Sequence, residues 1–395
     1  MQAQRLERLH IGIFGKVNSG KSTLLNALTS QEVALVSEEK GTTTDPVCKA
    51  MEINGIGPVM FIDTAGFGDA GRLGALRLEK TKEVMKKTDM AIVLFADADV
   101  EESLLWVRKF REQKVKVIIA VNDMENNNAK EIAAKISEPV IVVNALKKHN
   151  IEKLREALIE NAQADKEPEI TGILAKENDV VMLVMPQDIQ APKGRLILPQ
   201  AQTIRELLDK KCIIISCTTD KIDETLAALN KAPSLIICDS QVLKIVHEKK
   251  PKESKLTSFS ILFAAYKGDF ETFLDGAKAI DSLTENSHIL IAEACTHAPL
   301  SEDIGREKIP RMLKKYTSLV TVASGSDFPE DLTKYALIIH CGACMFNRKH
   351  VLSRIEEAKR QGVPITNYGM AIAHLQGINL LDLDLLHKKG ENNAT

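Results

Sequence analysis

At 395 residues the chain exceeds what one ordinary core organises, so two or three domains are expected. Its 52 basic and 54 acidic residues leave a formal net charge of -2, which excludes a bulk polyanion-binding character and confines any phosphate site to a local feature. No stretch approaches the roughly 18 apolar residues that span a bilayer, and MQAQRLERLH lacks the apolar run of a secretory signal, so a soluble, cytoplasmic protein with no membrane partner is expected.

From the N-terminus, LHIGIFG (Leu9–Gly15) alternates like a strand and runs into G-K-V-N-S-G-K-S, after which TLLNAL has a helical pattern. Glycines and small residues let successive backbone amides face phosphate oxygens, and the helix start adds its dipole. Gly15, Asn18, Ser19, Gly20, Lys21, Ser22 and Thr23 are therefore the expected nucleotide contacts. Lys21 reaches the β- and γ-phosphates and Ser22 ligates Mg²⁺. Further on, GPVMFIDTAGF ends in Asp63-Thr64-Ala65-Gly66, a carboxylate for the metal's water shell and a glycine amide for the γ-phosphate. Between the two motifs, GTTTDP supplies a threonine hydroxyl to the metal: Thr43, with Thr42 and Thr44 as alternatives. Lys21, Thr43, Asp63 and Gly66 form the expected catalytic set. In this order and spacing the motifs resemble the translation-factor-like GTPases, which implies a Ras-like G domain with two switch segments.

After the strand VKVIIAV comes Asn122-Asp123-Met124-Glu125, where such GTPases have N-K-x-D. Glu125 retains a carboxylate for the two donors of guanine, while the lysine that covers the base is replaced by Asp123. Asn144-Ala145-Leu146 resembles a worn S-A-K loop. Phe67 stands where Ras-like proteins carry a water-positioning glutamine, and Asn18 stands where some relatives ligate K⁺. Slow hydrolysis accelerated by K⁺ is expected.

Past NIEKLREALIENA the polar run QADKEPEIT (residues 163–171) reads as a linker. Strand and helix signals then alternate: DVVMLVM, a helix over 201–210, CIIISC, the helix DETLAALNKA, LIICD and a helix ending near Lys249. This is a parallel α/β pattern without a phosphate loop, as in an interaction module, so homodimerisation is expected. HEKKPKESK (residues 247–255) lacks interleaved aromatics and reads as a solvated connector, not a nucleic-acid patch. Strand-like runs resume with LTSFSILFAAY, HILIAEAC, LVTVAS, ALIIHC and VPITNYG. The expected architecture is α/β: a P-loop G domain over 1–165, then two smaller parallel, Rossmann-like α/β domains over 172–255 and 256–395.

Seven cysteines, an odd number thinly spread, suit neither a disulfide framework nor an oxidising compartment. Cys48, Cys212, Cys217 and Cys238 lie in apolar segments as small hydrophobes. Cys295-Thr296-His297 and His340-Cys341-Gly342-Ala343-Cys344 instead follow two strands, and carboxyl ends of parallel strands gather at one edge. Three thiolates fall short of the four that a 4Fe-4S cluster normally takes, which leaves one iron to a weaker, exchangeable donor; His297, Glu302, Asp303 and His340 are the candidates. Reduced core thiols beside buried histidines are the alternative reading.

C-x-H at Cys295 and His297 and H-C-x-x-C at His340, Cys341 and Cys344, with APKGRLILPQAQTIRELLDKK, KLTSFSILFAAYKGDF, DIGREKIPRML and the P-loop, resemble the HydF family of FeFe-hydrogenase maturation GTPases over nearly the whole chain. Ala298 follows His297 where a second histidine is expected. The resemblance implies a homodimeric scaffold that binds GTP, Mg²⁺ and a 4Fe-4S cluster through Cys295, Cys341 and Cys344. It also implies partners: two radical-SAM maturases that supply a di-iron precursor, and the FeFe-hydrogenase apoprotein that receives it. Nucleic acid is not among them. The rival from another class is an RNA-associated, K⁺-dependent GTPase of the tRNA-modification or ribosome-assembly kind, and a third reading is an electron carrier.

Overall fold

A computed structural model describes residues 8–29, 47–67, 72–125, 127–163, 168–186, 196–294, 303–325, 327–343 and 346–378. The chain divides into two compact units, Met1–Glu167 and Pro168–Thr395, within the run read as a linker.

In the first unit β1 (Leu9–Gly15), β2 (Val47–Ile53), β3 (Gly57–Asp63), β4 (Met90–Phe95), β5 (Lys116–Asn122) and β6 (Ile141–Val143) form one sheet in the order β2-β3-β1-β4-β5-β6. Only the β2–β3 pair is antiparallel. Helices α1 (Lys21–Thr29), α2 (Arg72–Lys86), α3 (Glu101–Glu112), α4 (Ala129–Ala134) and α5 (Ile151–Gln163) connect the strands. With both faces covered, β1 and β4 are apolar nearly throughout, as parallel central strands require. One face packs Leu24, Leu28, Leu154 and Leu158; the other packs Trp106 and Phe110 against Phe14.

The second unit holds two parallel sheets. The first has the order β10-β9-β7-β8 and is built from β7 (Val180–Val184), β8 (Ile213–Cys217), β9 (Leu235–Cys238) and β10 (Lys255–Ser258). Helices α6 (Leu198–Asp209), α7 (Ile222–Ala227), α8 (Leu243–Lys249) and α9 (Phe259–Lys267) accompany it. After α10 (Phe270–Lys278), the second sheet has the order β12-β11-β13-β14: β11 (Ile289–Glu293), β12 (Val320–Ser324), β13 (Leu337–His340) and β14 (Ile365–Asn367). Helices α11 (Ile309–Leu313), α12 (Arg348–Arg360) and α13 (Tyr368–Leu375) complete it. Cys212 and Cys238 are buried and Cys48 and Cys217 partly buried in apolar clusters, as expected of small hydrophobes.

Two expectations are corrected. SFSILFAAYK does not continue as a strand: Ser258 ends β10, and its side chain accepts a hydrogen bond from the Ile261 amide, capping α9. This helix is apolar around its circumference because it lies between the sheets, Ile261 and Ala264 facing one core, Phe259, Leu262 and Phe263 the other. Burial on all sides erases the 3.6-residue pattern that marks a surface helix. Second, β10 pairs in parallel with β9, Lys255 opposite Leu235 through Ser258 opposite Cys238, so the boundary read at 255/256 cuts through the last strand of the middle sheet. The two sheets share one core, in which Met182 and Ile236 join Leu290 and Ile338.

Backbone meets backbone closely at Gly276, where an added Cβ would lie 2.0 Å from the Ile365 carbonyl oxygen and 2.4 Å from its carbon. Backbone cannot yield as a flexible side chain can. Gly276→Ala is expected to cost about 3 kcal/mol, read as a lower midpoint of chemical denaturation by circular dichroism, with nucleotide affinity unchanged because that depends on the first unit.

Candidate functional site

Between β1 and α1 the chain turns through Asn18 (φ 62°) and Gly20 (φ 91°), left-handed positions that fold the loop back over its own amides. An added Cβ at Gly20 would meet the Asn122 amide nitrogen at 2.3 Å. Lys21 donates to the carbonyls of Gly15 (3.2 Å) and Lys16 (2.8 Å), so its ammonium lies across the loop it serves. Ser22 Oγ donates to Asp63 Oδ2 at 2.5 Å. Asp63 Oδ1 and Ser19 Oγ are buried without a hydrogen-bond partner. Burial holds the Asp63 carboxyl above the usual range, against the opposing pull of the Ser22 hydroxyl and the Lys21 charge. A hydroxyl and an orphaned carboxylate oxygen suit a hydrated Mg²⁺, and the ammonium suits the phosphate beside it, so residues and group fit. Thr43 lies outside the described residues; Thr23 is half-buried in the first turn of α1.

Gly66 (φ 84°) brings the end of β3 against this loop; an added Cβ there would lie 2.8 Å from Lys21 Nζ. Phe67 exchanges backbone hydrogen bonds with Gly15 and Val17 and stacks on Trp106, ring centroids 5.2 Å apart. At 3% exposure this side chain is core, so the position of the water-orienting glutamine is given to packing.

Asn122 joins three segments: its Nδ2 donates to Ser19 O (3.0 Å) and its Oδ1 accepts from the Ala145 amide (3.1 Å). The loop resembling S-A-K is thereby set against the phosphate loop. Glu125 is exposed at the end of the N-D-M-E run. Sequence reasoning missed Asn127, which donates to the carbonyls of Ala96 and Asn122 and accepts from the Met124 amide, and so fixes the run's shape. Asn144 donates to Asp123 O from the other side.

In the second unit β11 and β13 are neighbours, Ala292 opposite His340. Cys341 extends this pairing, its amide donating to Ala292 O at 2.9 Å. Its sulfur in turn accepts from the amides of Ala294 (3.0 Å) and Ala343 (3.4 Å). Ala294 directly precedes Cys295 and Ala343 directly precedes Cys344. Cys295, His297, Glu302 and Cys344 lie outside the described residues, and among the described residues no three candidate ligands converge.

His340 is fully buried, with Nδ1 2.9 Å from the Cys341 carbonyl and Nε2 3.1 Å from Arg354 Nη1. The guanidinium can only donate, so Nε2 accepts and Nδ1 carries the proton. Both ring nitrogens are thus engaged, and His340 bridges the cysteine loop to an arginine. Burial first, and then the Arg354 charge, depress its pKa to about 3, which keeps it neutral. Asp303 is likewise engaged, its Oδ1 accepting from the amides of Gly305 and Arg306. Nearby, Glu293 at the end of β11 is paired with Arg306 and accepts from Ser324 Oγ.

Two buried cations that the motif analysis missed border the cysteine loop. Arg354 from α12 is 4% exposed, donates to His340 and to Gly325 O (2.6 Å), and lies 4.7 Å and 4.5 Å from the ring centres of Phe328 and Phe346. Lys267, the last residue of α9, is 6% exposed and donates to the carbonyls of Ala343 (3.1 Å) and Phe346 (3.0 Å).

Comparison with known proteins divides along the same lines. A model of the 50S ribosome-binding GTPase domain matches residues 10–176, one of the hydrogen maturase F dimerization domain matches 170–268, and one of the hydrogen maturase F tetramerization domain matches 271–384. Among curated proteins, GTPase Der of Wolinella succinogenes is 35% identical over 170 residues, 38% of this chain and 35% of that protein. The tRNA modification GTPase MnmE of Aquifex aeolicus is 27% identical over 178 residues, 45% of this chain and 39% of that protein. The chain thus spans 35% to 39% of the length of these relatives. Among solved structures, Aquifex aeolicus Era bound to GDP.AlF4- aligns over 56% of this chain and 98% of that one, at 17% identity and a TM-score of 0.32. The G domain of the T. maritima FeoB iron transporter aligns over 40% and 100%, at 22% and 0.31. The two maturase models, whose names describe self-association and support a homo-oligomer, together cover more than half of the chain. With a GTPase domain at its start and both of these domains after it, the chain belongs to the hydrogen maturase F family.

Proposed function

We propose that this chain is a GTP-switched carrier. On this reading it holds a 4Fe-4S cluster through Cys295, Cys341 and Cys344, receives a di-iron precursor from radical-SAM maturases and passes it to the FeFe-hydrogenase apoprotein. The observation that carries the reading is the pair of amides, Ala294 and Ala343, aimed at the Cys341 sulfur from the residues next to the other two thiols. Amide donors to sulfur favour the thiolate, the form that binds iron. When bound, the cluster supplies an iron with a replaceable fourth donor, for which His297, Glu302, Asp303 and His340 are the candidates. The protein's own part is to keep the Cys341 sulfur oriented and its carbonyl satisfied by His340.

In the first unit, Lys21 exchanges the Gly15 and Lys16 carbonyls for phosphate oxygens, Ser22 and Asp63 hold Mg²⁺ with Thr43, and Gly66 faces the γ-phosphate. Asn122 orders the base loop and Glu125 selects guanine. Because Phe67 is packed into the core, nothing at that position orients water, and hydrolysis is slow. Asn18, exposed at the loop tip, is the candidate K⁺ ligand. Turnover in KCl should exceed turnover in NaCl at matched ionic strength; equal rates exclude that role.

Asp63 supplies a second prediction. Its folded pKa is raised, so the folded protein keeps this proton to higher pH than the unfolded chain does. Ionisation at neutral pH is therefore a cost to folding, present above the raised pKa and absent below about 3.8. Asp63→Asn should raise the melting temperature of nucleotide-free protein at pH 7. It should also remove the Mg²⁺-dependent part of the stabilisation by GTP, which for a one-site ligand at 100-fold excess over its Kd is about 2.7 kcal/mol.

Anaerobic purification with iron and sulfide analysis tests the carrier reading: wild type should bind both, and Cys341→Ser should lose most of both. Iron-free protein that binds tRNA would favour the RNA-associated GTPase.

A further inference from the structure

We propose that Arg354 and Lys267 are the counter-charges of the metal centre at Cys341, two buried cations that retain an anionic cluster and raise its reduction potential. The proposal rests on the carrier reading above and concerns residues that do not touch iron.

Arg354 carries a full charge at 4% exposure, and its Nε has no hydrogen-bond partner. Its bonds are to a neutral imidazole and a backbone carbonyl, its faces lie against Phe328 and Phe346, and among the described residues no carboxylate pairs with it. Burying a guanidinium without a counter-ion is costly, and native proteins keep such a charge where an anion offsets it. His340 links it to the cysteine loop, with Nε2 on the guanidinium and Nδ1 facing the Cys341 carbonyl. Lys267 reaches the same loop from α9, and its two acceptor carbonyls, Ala343 and Phe346, flank Cys344 in the chain. His340, before Cys341, thus contacts a cation from α12, and Ala343 and Phe346 contact a cation from α9.

A cluster held by three thiolates is negative, and reduction makes it more so. Positive charge in a low-dielectric site stabilises the reduced form over the oxidised one, which raises the potential. A purely mechanical role, tying α12 to β13 and the turn at Gly325, makes a different forecast: lysine at position 354, unable to stack or fork, would fail as methionine does.

The test uses full-length protein reconstituted anaerobically, with sulfide and iron analysis and a redox titration followed by electron paramagnetic resonance. Wild type should hold the cluster. Arg354→Met and Lys267→Met should each lower the midpoint by an amount equal to about tenfold in the reduced-to-oxidised ratio, ~59 mV for a one-electron couple, and lose iron faster to a chelator. Arg354→Lys and Lys267→Arg should stay near the wild-type midpoint, and they carry the test if the methionine variants do not fold. Methionine variants with the wild-type midpoint and iron loss, or a lysine variant that fails like methionine, would overturn the proposal and leave the carrier reading standing. Wild type without iron and sulfide would overturn the carrier reading itself.

Discussion

Parallel pairing is the constraint on which both candidate sites depend. It sends the carboxyl ends of adjacent strands to one edge of the sheet, where the chain must leave through loops. In the first unit that edge collects the end of β1 with the phosphate loop, the end of β3 with Asp63 and the end of β5 with Asn122. In the second unit it collects the ends of β11 and β13, and with them Glu293 and Cys341. Segments far apart in the chain therefore meet without a long-range contact designed for each pair.

What could be read from the sequence was what is local. The phosphate loop is a contiguous pattern whose chemistry dictates each position, and the strand-like runs about it are apolar enough to declare themselves. α9 reads as a strand because it is buried between two sheets and carries no polar face to mark its period. Arg354 was missed for the opposite reason: in RKHVLSRIEEAKR it looks like one more surface charge. Yet a signal existed, because Val351, Arg354, Ile355 and Ala358 fall at helical spacing on one buried stripe. The contact of His340 with a guanidinium is long-range in origin, since Arg354 comes from another element, and no local pattern announces it.

The sites share an electrostatic logic with opposite signs. Around Ser22 a buried carboxylate keeps one oxygen orphaned, a cost to the free protein that a bound cation removes. In the second unit the buried Arg354 has no carboxylate partner among the described residues, and on the proposal above an anionic centre removes the cost. Neither arrangement is what folding alone would favour, since an apolar side chain of similar volume would pack as well without desolvating a charge. The excess charge marks where each unit is incomplete.

α9 sets how self-association could reach the cysteine loop. It closes the stretch matched by the dimerization-domain model, it packs on both sheets, and its last side chain holds the carbonyls of Ala343 and Phe346. A ligand or partner changes a site only through contacts that differ between two states. A displacement of α9 alters such contacts directly, because a buried ammonium cannot let go of two carbonyls without leaving its charge and theirs unsatisfied. Lys267 thus ties the last helix of the stretch matched by the dimerization-domain model to the backbone at Ala343 and Phe346 in the last sheet's domain.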